Sequence, residues 1–233
     1  MKSLIYVPII HTTADLGSLG GDVTKRGIVN LGEELWEEHR KTVDGFWDAV
    51  SHYFDSIDVS GMKIYQDGMV AEGEIGEKIV EEGIKAGSKN YELLSRLLQK
   101  RAILLKTEDL ALVKTERDYL IELTKARTRI GKLIPYLRYR LIKNQLLGKR
   151  DRFIADRINQ TLSSGETGIL FIGAYHNIIP ILEKDIHVKE IKDTKKIRGY
   201  NMALLHGGKD RGERLEVLSE YLISPILSSW EEI

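Results

Sequence analysis

Gly168-Ile169-Leu170-Phe171-Ile172-Gly173-Ala174-Tyr175-His176-Asn177-Ile178-Ile179-Pro180 is the stretch on which the reading of this chain turns. It opens with five uncharged, mostly branched residues, the length and composition of a β-strand buried on both faces. Gly173 follows, and His176 comes three residues later, where the strand gives way to a loop or helix. In open α/β sheets ligands bind just beyond the carboxyl ends of the strands, so His176 stands where chemistry is usually done. An isolated histidine more often packs or caps, but the chain repeats the pattern. Leu4-Ile5-Tyr6-Val7-Pro8-Ile9-Ile10 is a second apolar run of strand length, and it delivers His11 at its end. Two neighbouring strands would bring both imidazoles to one crevice.

Working outward, Met62–Gln66 and Ala102–Leu105 are further strand candidates, ending at Asp67-Gly68 and at Thr107-Glu108-Asp109. A last strand over His187–Ile191 belongs at the edge of the sheet. Between them the apolar spacing predicts a long helix over Leu31–Ile57, an acidic one over Gly73–Ala86 and a third over Tyr91–Lys100. From Leu110 to Gln145 the helical period returns, with a break expected at Gly131 and Pro135. Separate helices are expected over Asp151–Leu162 and Glu213–Leu222. Thr12–Asp22, with glycines at 17, 20 and 21, reads as a loop, as does His206-Gly207-Gly208-Lys209, and Lys192–Asn201 is too polar to assign. The alternation of strands and helices predicts one α/β domain over residues 1–233: a mostly parallel central sheet, helices on both faces, and a helical elaboration around 110–147.

The composition fits a soluble globular protein with ample core, 42% hydrophobic and 30% charged. With no cysteine, a disulfide framework and a thiolate nucleophile are excluded, and any metal is left to histidine and carboxylates. Neither a signal peptide nor a membrane span is visible, which points to the cytoplasm. High charge without cysteine also fits a heat-adapted, thermophilic source. The apolar tail Ile223–Trp230 must dock on its own domain or on a second subunit in a homodimer.

The formal net charge of zero hides an asymmetry. Leu31–Glu82 carries fourteen acids against four bases, and Leu123–Arg150 carries nine bases and no acid. Either the two stretches neutralise one another or the basic one faces an anionic ligand or partner. Nucleic-acid binding through residues 123–150 is the weakest version, because the bases are interleaved with Leu133, Ile134, Leu137, Leu141, Ile142, Leu146 and Leu147, much of which must be buried. The acids Glu33, Glu34, Glu37 and Glu38 sit in the first turns of a helix, where the dipole accounts for them.

His11, Asp67, Glu108 and His176 thus end four candidate strands. Two imidazoles and a carboxylate are the ligands of many hydrolytic metal sites, and the same set works without metal when one histidine acts as base on water. Asp67, followed by Gly68, is the favoured carboxylate; Thr107-Glu108-Asp109 has an ordinary helix-capping explanation. The spacings themselves carry no metal signature.

Arg150-Asp151-Arg152-Phe153-Ile154-Ala155, then a turn, then Gly168–His176, resembles the second half of the TraB/Tiki family, which belongs with the erythromycin esterases and ChaN-like proteins. Members carry an Arg-Asp-x-x-x-Ala helix followed by a strand ending in Gly-x-x-His, an earlier strand ending the same way, and an acid at the end of the next strand. The resemblance covers residues 149–180 and, more thinly, Leu4–Asp15. It matches His176 to the second histidine, His11 to the first, Asp67 to the acid, and Arg150, Asp151 and Arg152 to the helix-start motif. Pro8-Ile9-Ile10-His11 lacks the glycine, and Asp67 replaces the usual glutamate. The resemblance implies a hydrolase of a peptide or ester bond, with His11, Asp67 and His176 as catalytic residues and as ligands of a divalent zinc, manganese or cobalt in the metal-dependent branch. Arg150, Arg152, Asp151 and Glu108 are then the substrate-binding candidates. A non-enzymatic protein that binds a small or peptide ligand in the same crevice is the alternative.

Overall fold

The computed structural model describes residues 1–12, 14–15, 20–125, 129–205 and 210–227, and their side chains except at 26, 123–125, 129–138 and 140. Five strands, β1 (Lys2–Ile9), β2 (Lys63–Gln66), β3 (Ile103–Leu105), β4 (Thr167–Gly173) and β5 (Ile186–Glu190), form one sheet in the order β3-β2-β4-β1-β5. Every pairing is parallel. The helices are α1 (Gly20–Leu31), α2 (Glu33–Asp55), α3 (Gly73–Lys85), α4 (Lys89–Gln99), α5 (Leu110–Lys125), α6 (Arg129–Thr161), α7 (Thr194–Leu205) and α8 (Arg211–Ile223).

Side chains alternate across a strand, so the central strands feed two cores. Ile5, Val7, Ile9, Ile169 and Phe171 face the larger one, closed by α2, α3, α4, α7 and α8. Leu4, Tyr6, Leu170 and Ile172 face the smaller, closed by Ile154, Ala155 and Ile158 of α6 and by Ile178. Helices therefore cover both faces, unequally. The connections β1→β2 and β2→β3 move one way along the sheet over the large core, and β3→β4 and β4→β5 move the other way over the small one. Opposite directions on opposite faces are what a uniform right-handed crossover demands.

That winding positions the site. β1 and β4 are neighbours, yet the chain leaves β1 toward β2 and leaves β4 toward β5. Their carboxyl ends therefore flank a topological switch point, where diverging loops open a crevice.

The differences from expectation have local causes. α6 runs unbroken through Gly131 and Pro135 and onward through Arg150. The carbonyl that a proline crowds is that of the residue four back, here Gly131, the most adjustable backbone available. Arg150 and Asp151 consequently lie within a long helix, not at a helix start. Leu141, expected in the core, is exposed. α1 begins inside the expected loop; its glycines dilute the apolar pattern, and Gly27 lies so close under the Trp36 ring that a β-carbon would overlap it. α7 forms where the sequence is polar because Ile197, Tyr200 and Ala203, three apart, suffice to bury one stripe, and Asp193 accepts the amides of Lys195 and Lys196 at its start. Of the apolar C-terminal segment, Ile226 packs against the large core, while Ile223 and Leu227 are exposed. His206 to Lys209, residues 16–19 and the tail beyond Leu227 lie outside the described residues. Among the described residues no helix is long and apolar enough to cross a membrane.

Candidate functional site

Three strand-end turns deliver the site. After β2 the chain turns back at once, the Met69 amide donating to the Gln66 carbonyl (3.0 Å). Gly68 holds φ +79°, which a side chain would strain, and Asp67 is thereby aimed across the end of β4. Its Oδ2 accepts the Gly173 amide at 3.0 Å. The Met69 carbonyl then accepts the amides of Thr107 and Glu108 at 2.8 and 2.9 Å, and Thr107 Oγ1 accepts the Gln66 amide at 3.0 Å. These bonds clamp the end of β3 against the end of β2 and drive Glu108 inward to complete burial. Asp109, not Glu108, caps α5 by accepting the Leu112 amide. After β4 the His176 amide closes a turn onto the Gly173 carbonyl at 3.0 Å.

His176 Nδ1 lies 2.5 Å from Asp151 Oδ1, and the other Asp151 oxygen accepts the Asn177 amide at 3.1 Å. Its Nε2 therefore faces the crevice, 3.5 Å from Asp67 Oδ2. Ligand atoms of Asp67, Glu108 and His176 all lie within 4.8 Å of one another. Gly173 is the floor on which they meet. A β-carbon there would stand 3.1 Å from Asp67 Oδ2 and 3.6 Å from both His11 Nε2 and the His176 ring. The two imidazoles are thus no more than twice that distance apart, His11 exposed at the mouth and His176 buried.

Arg150 enters from α6 and spends its guanidinium on carboxylates: Nη2 donates to Asp67 (2.6 Å) and to Glu108, Nε to Glu108 (3.0 Å), and Nη1 to Glu116 of α5. Four carboxylates, those of Asp67, Glu108, Glu116 and Asp151, are gathered by one guanidinium and one buried imidazole. Buried charge of one sign is costly unless compensated, so the cluster favours added protons or a cation. The ionisation of the groups reflects that balance. Burial works to raise Asp67, but the charges of His176, Arg150 and His11 hold it well below the usual carboxylate range. Burial works to lower His176, yet Asp67 and the hydrogen bond to Asp151 push it up to about 10. Burial pushes Glu108 up to about 7 against the pull of Arg150. Glu108 Oε2 is buried with no hydrogen-bond partner among the described residues.

Of the residues singled out from sequence, the structure brings together His11, Asp67, Glu108, Arg150, Asp151 and His176. Arg152, two residues beyond Arg150 and so about 200° round the helix, is exposed. Its expected place beside a substrate is not where the helix puts it. Arg150 and Asp151 hold carboxylates and an imidazole, which leaves neither free as a substrate anchor. The expectation that Glu108 merely caps a helix gives way to its place beside Asp67. Glu116 is legible from no motif: it meets Arg150 only because α5 packs along α6. Of the acids of Leu31–Glu82, Asp44 and Asp48 pair with Lys89, and Asp55 with Arg96 and Lys100, while Asp67 meets the basic stretch at Arg150. Most side chains of that basic stretch, including Arg127, Arg129 and Arg138, lie outside the described set.

No family model matches the chain, and neither a curated protein nor a solved structure matches it.

Proposed function

We propose that the crevice hydrolyses an ester or peptide bond, with water activated among Asp67, Glu108 and His176 and with His11 at its rim. One observation carries the reading: titratable groups from three strand ends converge within 4.8 Å at the switch point of the sheet, and one buried carboxylate oxygen among them lacks a partner among the described residues. A pair of groups whose environments push their affinities for protons apart supplies an acid and a base. Glu108, ionising near neutrality, is the base that takes a proton from water. His176 holds its Nε2 proton at neutral pH and is the acid that gives it to the departing alkoxide or amine. Transfer of the proton from Glu108 to His176 then resets the site. Asp67 stays ionised and orients the imidazolium, Asp151 fixes the ring through Nδ1, and Arg150 keeps the two carboxylates from repelling one another. This assigns the base to a carboxylate and the acid to the histidine, the reverse of a histidine acting on water.

The donor set also fits a divalent cation such as zinc, manganese or cobalt. His176 presents one nitrogen backed by a carboxylate on the other, the arrangement of many metal-bound histidines, and the orphaned Glu108 oxygen needs a positive partner. Asp67, Glu108 and His176 would hold the ion, which would supply a Lewis acid and a bound water of lowered pKa. Proton and metal are alternative answers to the same excess of negative charge. The resemblance to the TraB/Tiki group rests on residues that this crevice gathers, His11, Asp67, Arg150, Asp151 and His176, and it supports the same chemistry.

The test is a panel of p-nitrophenyl esters and peptide p-nitroanilides, assayed with chelator and with added divalent cation. The expected result is turnover by the wild type in at least one condition. Asp67→Asn and His176→Ala should remain folded by circular dichroism and lose a factor of at least about 100, the lower end for general acid–base groups. Variants as active as the wild type, or a wild type inert under both conditions, would contradict the reading.

A further inference from the structure

A cleft of about 560 Å³ opens beside His176, over the ends of β1 and β5. That is within the range of small-molecule sites, and the hydrolytic reading leaves it unused. Its lining is chemically lopsided. The anions there accept hydrogen bonds from neutral donors, Glu190 from the amide and hydroxyl of Thr194 and Asp193 from two amides at the start of α7, and the charge of Glu190 is opposed at the Tyr6 phenol by that of Arg198. Lys192 is engaged, its ammonium donating to the Tyr221 carbonyl and to both oxygens of Ser224.

Besides the exposed ammonium of Lys195, Arg198 and Tyr6 have donors to offer. Arg198 is pinned along the turn that carries His176, with Nε donating to the Ala174 carbonyl and Nη2 to the His176 carbonyl at 3.0 Å. Its Nη1 has no partner among the described residues. Tyr6 lines the same cleft, and its hydroxyl, which is not one of the buried atoms without a partner, makes no hydrogen bond among the described residues. A phenol and a guanidinium with donors to spare, lining one cleft with His176, describe a receptor for a carboxylate.

We propose that this cleft binds a carboxylate on the acyl side of the substrate, between the Tyr6 hydroxyl and Arg198 Nη1, with the scissile bond reaching His176. The proposal deepens the hydrolase reading and rests on it: the substrate class becomes half-esters of short dicarboxylic acids and peptides with an acidic side chain. Tyr6 and Arg198 are binding residues in this account, and Arg198 also positions the His176 turn.

The experiment is calorimetric titration with glutarate, which needs no catalysis, alongside hydrolysis of mono-p-nitrophenyl glutarate and p-nitrophenyl acetate. Wild type is expected to bind glutarate and not glutaramide. Tyr6→Phe, which deletes one oxygen and keeps the ring, should weaken glutarate binding by roughly 10- to 100-fold, the worth of a hydrogen bond to a charged group. Arg198→Met should abolish it, and Arg198→Lys should restore part of it. In the wild type the glutarate half-ester should exceed the acetate in kcat/KM, and Tyr6→Phe should erase that preference mainly through KM. Glutarate binding with this dependence but no hydrolysis of either ester would sustain the cleft and overturn the hydrolase. Hydrolysis of both esters alike, with no glutarate binding or with Tyr6→Phe binding as the wild type does, would overturn the cleft and leave the hydrolase. Binding of inorganic phosphate in place of glutarate would overturn the carboxylate assignment.

Discussion

Arg150 and Lys192 are both buried cations on the carboxyl side of the same sheet, and they are satisfied in opposite ways. Lys192 meets only neutral oxygens, three of them for its three protons, at the C-terminal end of α8. Burial, with the charge of Lys196 nearby, lowers it to about 8. Nothing is left over, and the result is a tether holding the last helix to the sheet. Arg150 meets three carboxylates, and a fourth waits on the adjoining histidine. There the surplus negative charge is left to protons or a metal. A buried charge with neutral, complete partners is architecture; a buried charge outnumbered by its partners marks a place where ionisation changes.

Removing each cation should separate the two cases. Arg150→Met leaves Asp67 and Glu108 buried without their counter-charge and should cost about 3–5 kcal/mol in chemical denaturation. Adding Glu108→Gln to that variant should recover part of the loss. A loss under about 1 kcal/mol would mean that Arg150 adds nothing beyond a surface pair.

Stability should also respond to pH with opposite signs at the two places, measured on protein treated with chelator. Glu108 ionises near 7 when folded against 4.5 ordinarily. Between those values the folded chain keeps a proton that the unfolded chain has released, so stability falls as pH rises. Glu108→Gln should flatten that fall. Lys192 ionises near 8 against 10.5, so between those values the folded chain has already shed its proton and stability rises with pH. Lys192→Met should flatten that rise, and the reverse slope in either window would break the comparison.

Lys192→Met itself keeps the apolar stem and deprives the Tyr221 and Ser224 carbonyls of a donor. A cost of about 1–3 kcal/mol is expected. Gly173→Ala should cost least in stability, about 1 kcal/mol, the low end for inserting a methyl group into a packed site. Its β-carbon would press on Asp67 Oδ2 at 3.1 Å, so activity should fall further than stability does. Full activity in the Gly173→Ala variant would place the reacting atoms away from Gly173.

The sequence carries those parts of the molecule that are local. Ile5, Val7, Ile169 and Phe171 declare buried parallel strands because both faces of such strands are apolar. His11, Asp67 and His176 are legible because each follows its strand closely, and strand ends in this fold class share one edge. Glu108 is visible but easily misread, since a carboxylate before a helix has a cheaper explanation as a cap, and only the bonds from Met69 and Thr107 show otherwise. Arg150 stands out through a motif, but its partners do not, because Glu116 lies 34 residues away across a helical hairpin. α1 and α7 escape the sequence for a related reason. Each buries too narrow a stripe for periodicity to register, and each depends on a tertiary neighbour, Trp36 or the end of the sheet.

The most direct measurement sets Glu108→Gln beside Lys192→Met in one assay of ester hydrolysis, with rates divided by the folded fraction. The account predicts that Lys192→Met keeps the wild-type rate, while Glu108→Gln falls by at least about 100-fold. Equal rates for the two variants would contradict it, because the outnumbered cation and the satisfied one would then be architecture alike.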